Sequence, residues 1–155
     1  MKKKEKTSSV LSIYNVLSKA KYGQMADEDK IKIWKIARVL KPYATKFDED
    51  SRDAAEKFKP YEDFSEDLQK AQEFERLRNT GGDMSQSPMG VAEYNKFVDE
   101  FKNYNNLVND AIKEFADKEV ELEFDCISED AFGKLISSNE WTVDQTIELG
   151  AFIVE

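Results

Sequence analysis

One stretch of this 155-residue chain, "DKEVELEFDC" from Asp117 to Cys126, alternates apolar and acidic side chains. Val120, Leu122, Phe124 and Cys126 point one way along an extended backbone, and Glu119, Glu121, Glu123 and Asp125 point the other. No other stretch reads as a strand. A chain with one strand cannot build its own sheet, so the remainder is expected to fold as helix. The strand leaves two rows of backbone donors and acceptors that must be paired or hydrated. An extended segment lying over a helix pair, with its apolar side inward, is one resolution. Pairing with another strand is the second, and four acids on one side would repel a like strand alongside. A basic partner, or the Lys-rich head of a neighbouring copy, fits better.

The helical expectation has support of its own. Six Gly and three Pro are few, and ten Phe, six Tyr and two Trp are enough to build a core. Residues 8–22 place Val10, Tyr14 and Leu17 on one face, and Gly23 is a plausible stop. The Lys-rich start ahead of them is expected to fray. A second helix starts near Asp27, with Glu28 and Asp29 in its first turn, where the helix dipole favours acids. Ile33, Ala37, Leu40, Ala44 and Phe47 make its stripe. Pro42 lies inside that stripe and predicts a kink or break near Lys41, with helix resuming to Phe58. Asp63 and Glu66 stand in the places of a capping box for a third helix, whose apolar side is Phe64, Leu68, Ala71, Phe74 and Leu77. "NTGGDMSQSP", residues 79–88, reads as a flexible loop.

Ser87-Pro88 reads as a cap followed by proline at the first helical position. The helix it opens carries the strongest period in the chain: Val91, Tyr94, Val98, Phe101, Tyr104, Val108, Ile112 and Phe115. Phe97 and Tyr104 lie toward the sides of that stripe. Some thirty residues span about 45 Å, and the Ile33 to Phe47 stripe is the expected antiparallel partner. Beyond the strand, Ser128 caps one short helix and Thr142 with Gln145 forms a capping box for another. The fold expected is mainly α: an elongated antiparallel helical hairpin or bundle, one short C-terminal β-strand and two short C-terminal helices. It is read as a single domain over 1–155, with a helical core over about 8–117 and a strand-helix segment over 118–155.

The formal net charge is -9, and it is polarised along the chain. Residues 1–22 hold six Lys and one Glu, while residues 114–155 hold twelve acids and two Lys. Such ends are expected to meet, between copies or with a charged partner. The overall sign argues against nucleic acid. A single Cys excludes an internal disulfide and suits a reducing compartment. "TSSVLSIYNVLSKAKY" is broken by Ser12, Asn15 and Ser18, so "MKKKEK" is not expected to open a secretory signal. No run approaches the roughly 20 apolar residues of a membrane span.

Catalytic chemistry finds few footholds. The chain has no His, which removes the commonest general base and metal ligand, and the Ser-His and Cys-His pairs. Cys126 sits among acids, which hold a thiol protonated, and its apolar neighbours suggest burial. Gly81-Gly82 lacks the Lys-Ser or Lys-Thr of a phosphate loop. Zinc is excluded by the Cys and His count, and the acids at 27–29 and 48–50 lack the EF-hand's Gly and Glu. No catalytic, cofactor-binding or metal-binding residue is assigned, and no cofactor is expected.

The layout has a likeness. A basic start with "LSIYNVLSKA" leads to the helix "DKIKIWKIARVLKPYATKF". A late helix, "EYNKFVDEFKNYNNLVNDAIKEF", runs into the strand "VELEFDCI", and the chain closes on "IELGAFIVE". In this order the chain resembles small, largely uncharacterised helical proteins of tailed bacteriophages, encoded near tail and assembly genes. The "NTGGDMSQSPMG" loop and the helix before it look like extra material in that layout. With the absent catalytic constellation, the lone acidic strand and the polarised charge, the resemblance implies a non-enzymatic protein-binding role in virion or tail assembly, in the cytoplasm of the infected bacterium or on the virion. Its partner would be a phage structural or assembly protein, a host protein, or further copies of the chain, with no membrane and no nucleic acid. The candidate partner-binding residues are Glu119, Glu121, Glu123 and Asp125 on the strand, with Phe152 and Ile153 near the C-terminus. The alternative is an acidic inhibitor of a host defence or nucleic-acid-binding protein, mimicking phosphate charge.

Overall fold

A computed structural model describes residues 1–155. The alternating segment does form a strand, and it has a partner inside the chain. The Lys-rich start, expected to fray, is β1 (Lys2–Lys6), and it pairs antiparallel with β2 (Glu119–Glu123). The register sets Lys2 opposite Glu123, Lys4 opposite Glu121 and Lys6 opposite Glu119. Lys3 and Glu5 face Leu122 and Val120 on the other side of the sheet. Every second residue of β1 is thus a Lys facing a Glu, which corrects the expectation of a strand without an in-chain partner. Lysine is a poor intrinsic strand former, but strand preference is set largely by cross-strand neighbours and burial.

The remaining elements are α1 (Thr7–Leu17), α2 (Asp27–Lys57), α3 (Phe64–Thr80), α4 (Val91–Asp117), α5 (Glu129–Ser137) and α6 (Val143–Ile153). The fold is mainly α. No helix is long and apolar enough to cross a membrane. The chain divides into two compact units, residues 1–49 with 114–155 and residues 50–113. The first unit is therefore made from both ends of the chain.

Its core takes Val10 and Ile13 from α1, Ile33, Ile36 and Leu40 from α2, and Leu122 and Phe124 from β2. Leu135 of α5 and Leu149, Phe152 and Ile153 of α6 complete it. Burying an aliphatic side chain of this size contributes about 1.5–3 kcal/mol. Ile33, Ile36 and Leu40 of the α2 stripe are therefore spent on α1, β2, α5 and α6; further along α2, the Ala55 carbonyl accepts from the Tyr104 hydroxyl of α4 at 2.9 Å. The caps at the C-terminal end form as their sequences suggest. Ser128 accepts from the Ala131 amide at 3.2 Å, and Thr142 and Gln145 make the reciprocal capping box. At the end of α6 the Ile127 amide donates to the Ile153 carbonyl at 2.9 Å and the Glu155 amide donates to the Ile127 carbonyl at 3.3 Å, so the last residues run parallel to residue 127.

The second unit is built on aromatic side chains. Phe64 lies 5.4 Å from Phe97, 4.8 Å from Tyr104 and 5.6 Å from Tyr61 between ring centroids. Phe74 stacks on Tyr94 at 4.2 Å. Both phenols that face carboxylates are held protonated. Burial and then Asp67 push Tyr61 well above the usual tyrosine range, and the hydrogen bond to Glu75 raises Tyr94. The period of α4 is rotated from its sequence reading: Phe97 is buried and Val98 and Val91 are exposed. Tyr94, Phe97, Phe101 and Tyr104 keep the spacing of three and four while giving the aromatics the inner side.

Three local expectations change. Pro42 does not break α2, which runs as one helix from Asp27 to Lys57. Pro42 and Arg38 are both exposed, so the hydrogen bond that the proline removes lies on the solvent side of the helix. Asp63 occupies the cap of α3 but makes no side-chain cap bond. Ser87 turns its hydroxyl to Met89, and α4 begins later, at Val91.

Gly23 fixes the turn between α1 and α2. Its φ is +55°, and a Cβ there would stand 1.6 Å from Ser138 Oγ and 2.6 Å from Ser138 Cβ. Asn139 holds the same turn, accepting from the Lys21 amide at 2.8 Å and donating to the Lys21 carbonyl at 2.9 Å. Gly23→Ala should lower stability by about 2–4 kcal/mol, combining the backbone strain and the clash. Adding Ser138→Gly should recover the steric part and leave the backbone part. A thermal-melt double-mutant cycle measures both, and additive losses would contradict the contact.

Candidate interaction surface

The acids singled out from the sequence lie where their alternation places them. Glu119, Glu121, Glu123 and Asp125 are all exposed, and Leu122, Phe124 and Cys126 are buried beneath. Three of the four do not form a bare negative row, because Lys6, Lys4 and Lys2 stand opposite them. Lys4 Nζ lies 3.4 Å from Glu121 Oε1, and Lys6 Nζ lies 3.4 Å from Asp117 Oδ1. Lys4 and Glu121 are 70% and 80% exposed, so the ion pair contributes little energy. Its use is to favour this register over one that sets like charges side by side.

Phe152 and Ile153 are in the core and unavailable at the surface. Phe152 stacks on Phe124 at 5.6 Å. On the inner side of the sheet, Lys3 Nζ sits 4.6 Å from the centre of the Phe152 ring and donates to the Ala151 carbonyl at 2.9 Å. It also pairs with Glu5 at 3.2 Å. This places a cation at the C-terminal turn of α6, where the helix dipole is negative. The α-ammonium of Met1 donates to the Phe124 carbonyl at 2.8 Å and extends the same ladder.

A surface that the end-weighted charge count passed over lies on α2. From Lys30 to Lys46 the chain has five Lys, one Arg and no acid. Ile33, Ile36 and Leu40 are buried on the inner side of this helix. Ile31, Trp34, Lys35, Arg38, Lys41, Pro42 and Thr45 recur at intervals of three and four, and all are exposed. Ile31 is 52% and Trp34 51% exposed, large values for side chains of this size. The Arg38 guanidinium lies 5.3 Å from the Trp34 ring, a cation over an aromatic face. A shallow depression of about 580 Å3 lined by Arg38, Lys41, Pro42, Thr45, Lys46 and Glu49 continues the stripe. Elsewhere Lys70, Arg76 and Lys134 pair with acids on their own helices, and Lys59 pairs with Glu56 at the end of α2. No carboxylate lies within ion-pair distance of Lys35, Arg38 or Lys41.

A polar cleft of about 550 Å3 lies between the end of α1 and the α5–α6 turn. Several of its polar groups are engaged within the fold. Asn139 binds the Lys21 and Leu135 carbonyls, Lys19 binds Asn15, and Gln145 serves the capping box. No nucleophile stands beside a base there. No three Cys, Asp or Glu side chains converge as a metal site would require.

No family model, no curated protein and no solved structure matches the chain.

The sheet face generates its own test. Lys4→Glu should cost about 0.5–1 kcal/mol by setting two acids opposite each other, and Glu121→Lys should cost about the same. The double swap, Lys4→Glu with Glu121→Lys, should return stability to near the original value. Urea titration of the four proteins checks this, and losses that add in the double variant would contradict the cross-strand pairing.

Proposed function

We propose that this chain is a non-enzymatic protein-binding module whose docking surface is the outer face of α2. One observation carries the reading: an acid-free basic helix face with exposed Ile31 and Trp34, in a chain of net charge -9. Exposed aromatic and aliphatic anchors ringed by charge are the usual composition of a binding hot spot. Trp and Arg are the residues most enriched there. The basic ring selects a partner presenting acids around an apolar patch, and steers its approach. Phosphate backbones use the cations but leave Ile31 without a role, which favours protein over nucleic acid.

The setting supported by the chain's resemblance is virion or tail assembly. The phosphate-mimic alternative draws on the acids of residues 114–155, of which Glu119, Glu121 and Glu123 each face a lysine. The test is a photo-crosslinking amino acid placed at position 34, with a second at Glu62, outside the stripe, as reference. Protein adducts at position 34 and few at 62 are expected. Equal labelling at both positions contradicts the reading, as does capture of anionic-lipid vesicles or DNA by this face with no protein adduct.

A further inference from the structure

A second exposed apolar pair stands on α6. Val143 is 74% and Ile147 65% exposed, one helical turn apart, and Ala151 continues the line in the open. The charge around this pair is the reverse of that on α2. From Leu135 to Glu155 there are four acids, Glu140, Asp144, Glu148 and Glu155, and no Lys or Arg. All four are exposed. Glu148 accepts a hydrogen bond from Ser12 Oγ at 3.1 Å, and neither it nor Asp144 has a cation within ion-pair distance.

The first unit therefore carries two surfaces that match each other in chemistry. One sets Ile31 and Trp34 beside Lys35 and Arg38. The other sets Val143 and Ile147 beside Asp144 and Glu148. We infer that copies of this chain associate with the α2 face of one on the α6 face of another. The inference rests on the protein-binding reading and names the partner as a second copy. Charge decides against the two simpler pairings. An α2 face on an α2 face sets cation against cation, and an α6 face on an α6 face sets acid against acid. The contact is thus between unlike patches. Used reciprocally it closes a two-fold pair, and used once per copy it continues to a ring or a filament.

The experiment is light scattering on a sizing column with three proteins: the original chain, Lys35→Glu/Arg38→Glu, and Asp144→Lys/Glu148→Lys. All the altered residues are exposed, and circular dichroism checks that each protein is folded. The original chain should associate at low salt and dissociate as salt rises. Each variant alone should associate about 100-fold more weakly or not at all, because both of its faces then carry one sign. Mixed one to one, the two variants should associate again, since each supplies the face the other lost. Association that the substitutions leave unchanged overturns the inference, as does failure of the mixture to recover. A monomeric original chain that still yields foreign-protein adducts at position 34 overturns self-association and leaves the protein-binding reading standing. A monomer with no such adducts overturns both.

Discussion

The pairing of β1 with β2 is the contact on which the first unit depends. It joins residues at opposite ends of the sequence, with Thr7 donating to the carbonyl of Lys118 at 2.9 Å. Closing so long a loop is entropically unfavourable, although the cost grows slowly with length. Exposed Lys–Glu pairs cannot supply that free energy. It comes from the apolar side of the sheet. Leu122 and Phe124 are buried, and Lys3 lays its charge over Phe152 and onto the last turn of α6. The charges on the outer side do a different job. They favour one register and discourage pairing with a second acidic or second basic strand, which a two-stranded sheet with short edges needs.

The polarised charge of the sequence takes on its meaning from this contact. The basic head and the acidic tail belong to one compact unit, so much of the opposite charge meets within the chain. The cations and acids that no opposite charge meets lie elsewhere: Lys35, Arg38 and Lys41 on α2, and Asp144 and Glu148 on α6. The second unit makes no comparable use of charge in its core. It is held by Phe64, Phe74, Phe97 and their aromatic neighbours, whose hydroxyls find Asp67, Glu75 and the Ala55 carbonyl.

The elements that were legible in the sequence are those fixed by local chemistry. Ser128, and Thr142 with Gln145, cap their helices because a side-chain oxygen three residues before a free amide is sufficient. The β2 alternation was legible because one of its sides is buried. β1 was not, since "KKKEK" has no apolar period and becomes a strand only through its partner. Phe97 was misplaced because Val98 fits the same period nearly as well, and the choice between them is made by Phe64 on α3. Pro42 misled because its cost is local, whereas α2 is held by the burial of Ile33, Ile36 and Leu40 on one side of it and Ala54 on the other. The α2 surface was visible as an acid-free run of bases, and it was passed over because charge was weighed at the ends.

Residue-resolved amide hydrogen exchange tests the strand pairing most directly. The hydrogen bonds between Met1 and Phe124 and between Thr7 and Lys118 fix which pairs of this ladder exchange hydrogen bonds. The amides of Lys3, Glu5, Val120 and Leu122 should then be protected, and those of Lys2, Lys4, Glu121 and Glu123 should exchange fast. Fast exchange throughout residues 2–6, with α1 and α6 protected, would show a first unit that folds without this sheet and would contradict the account.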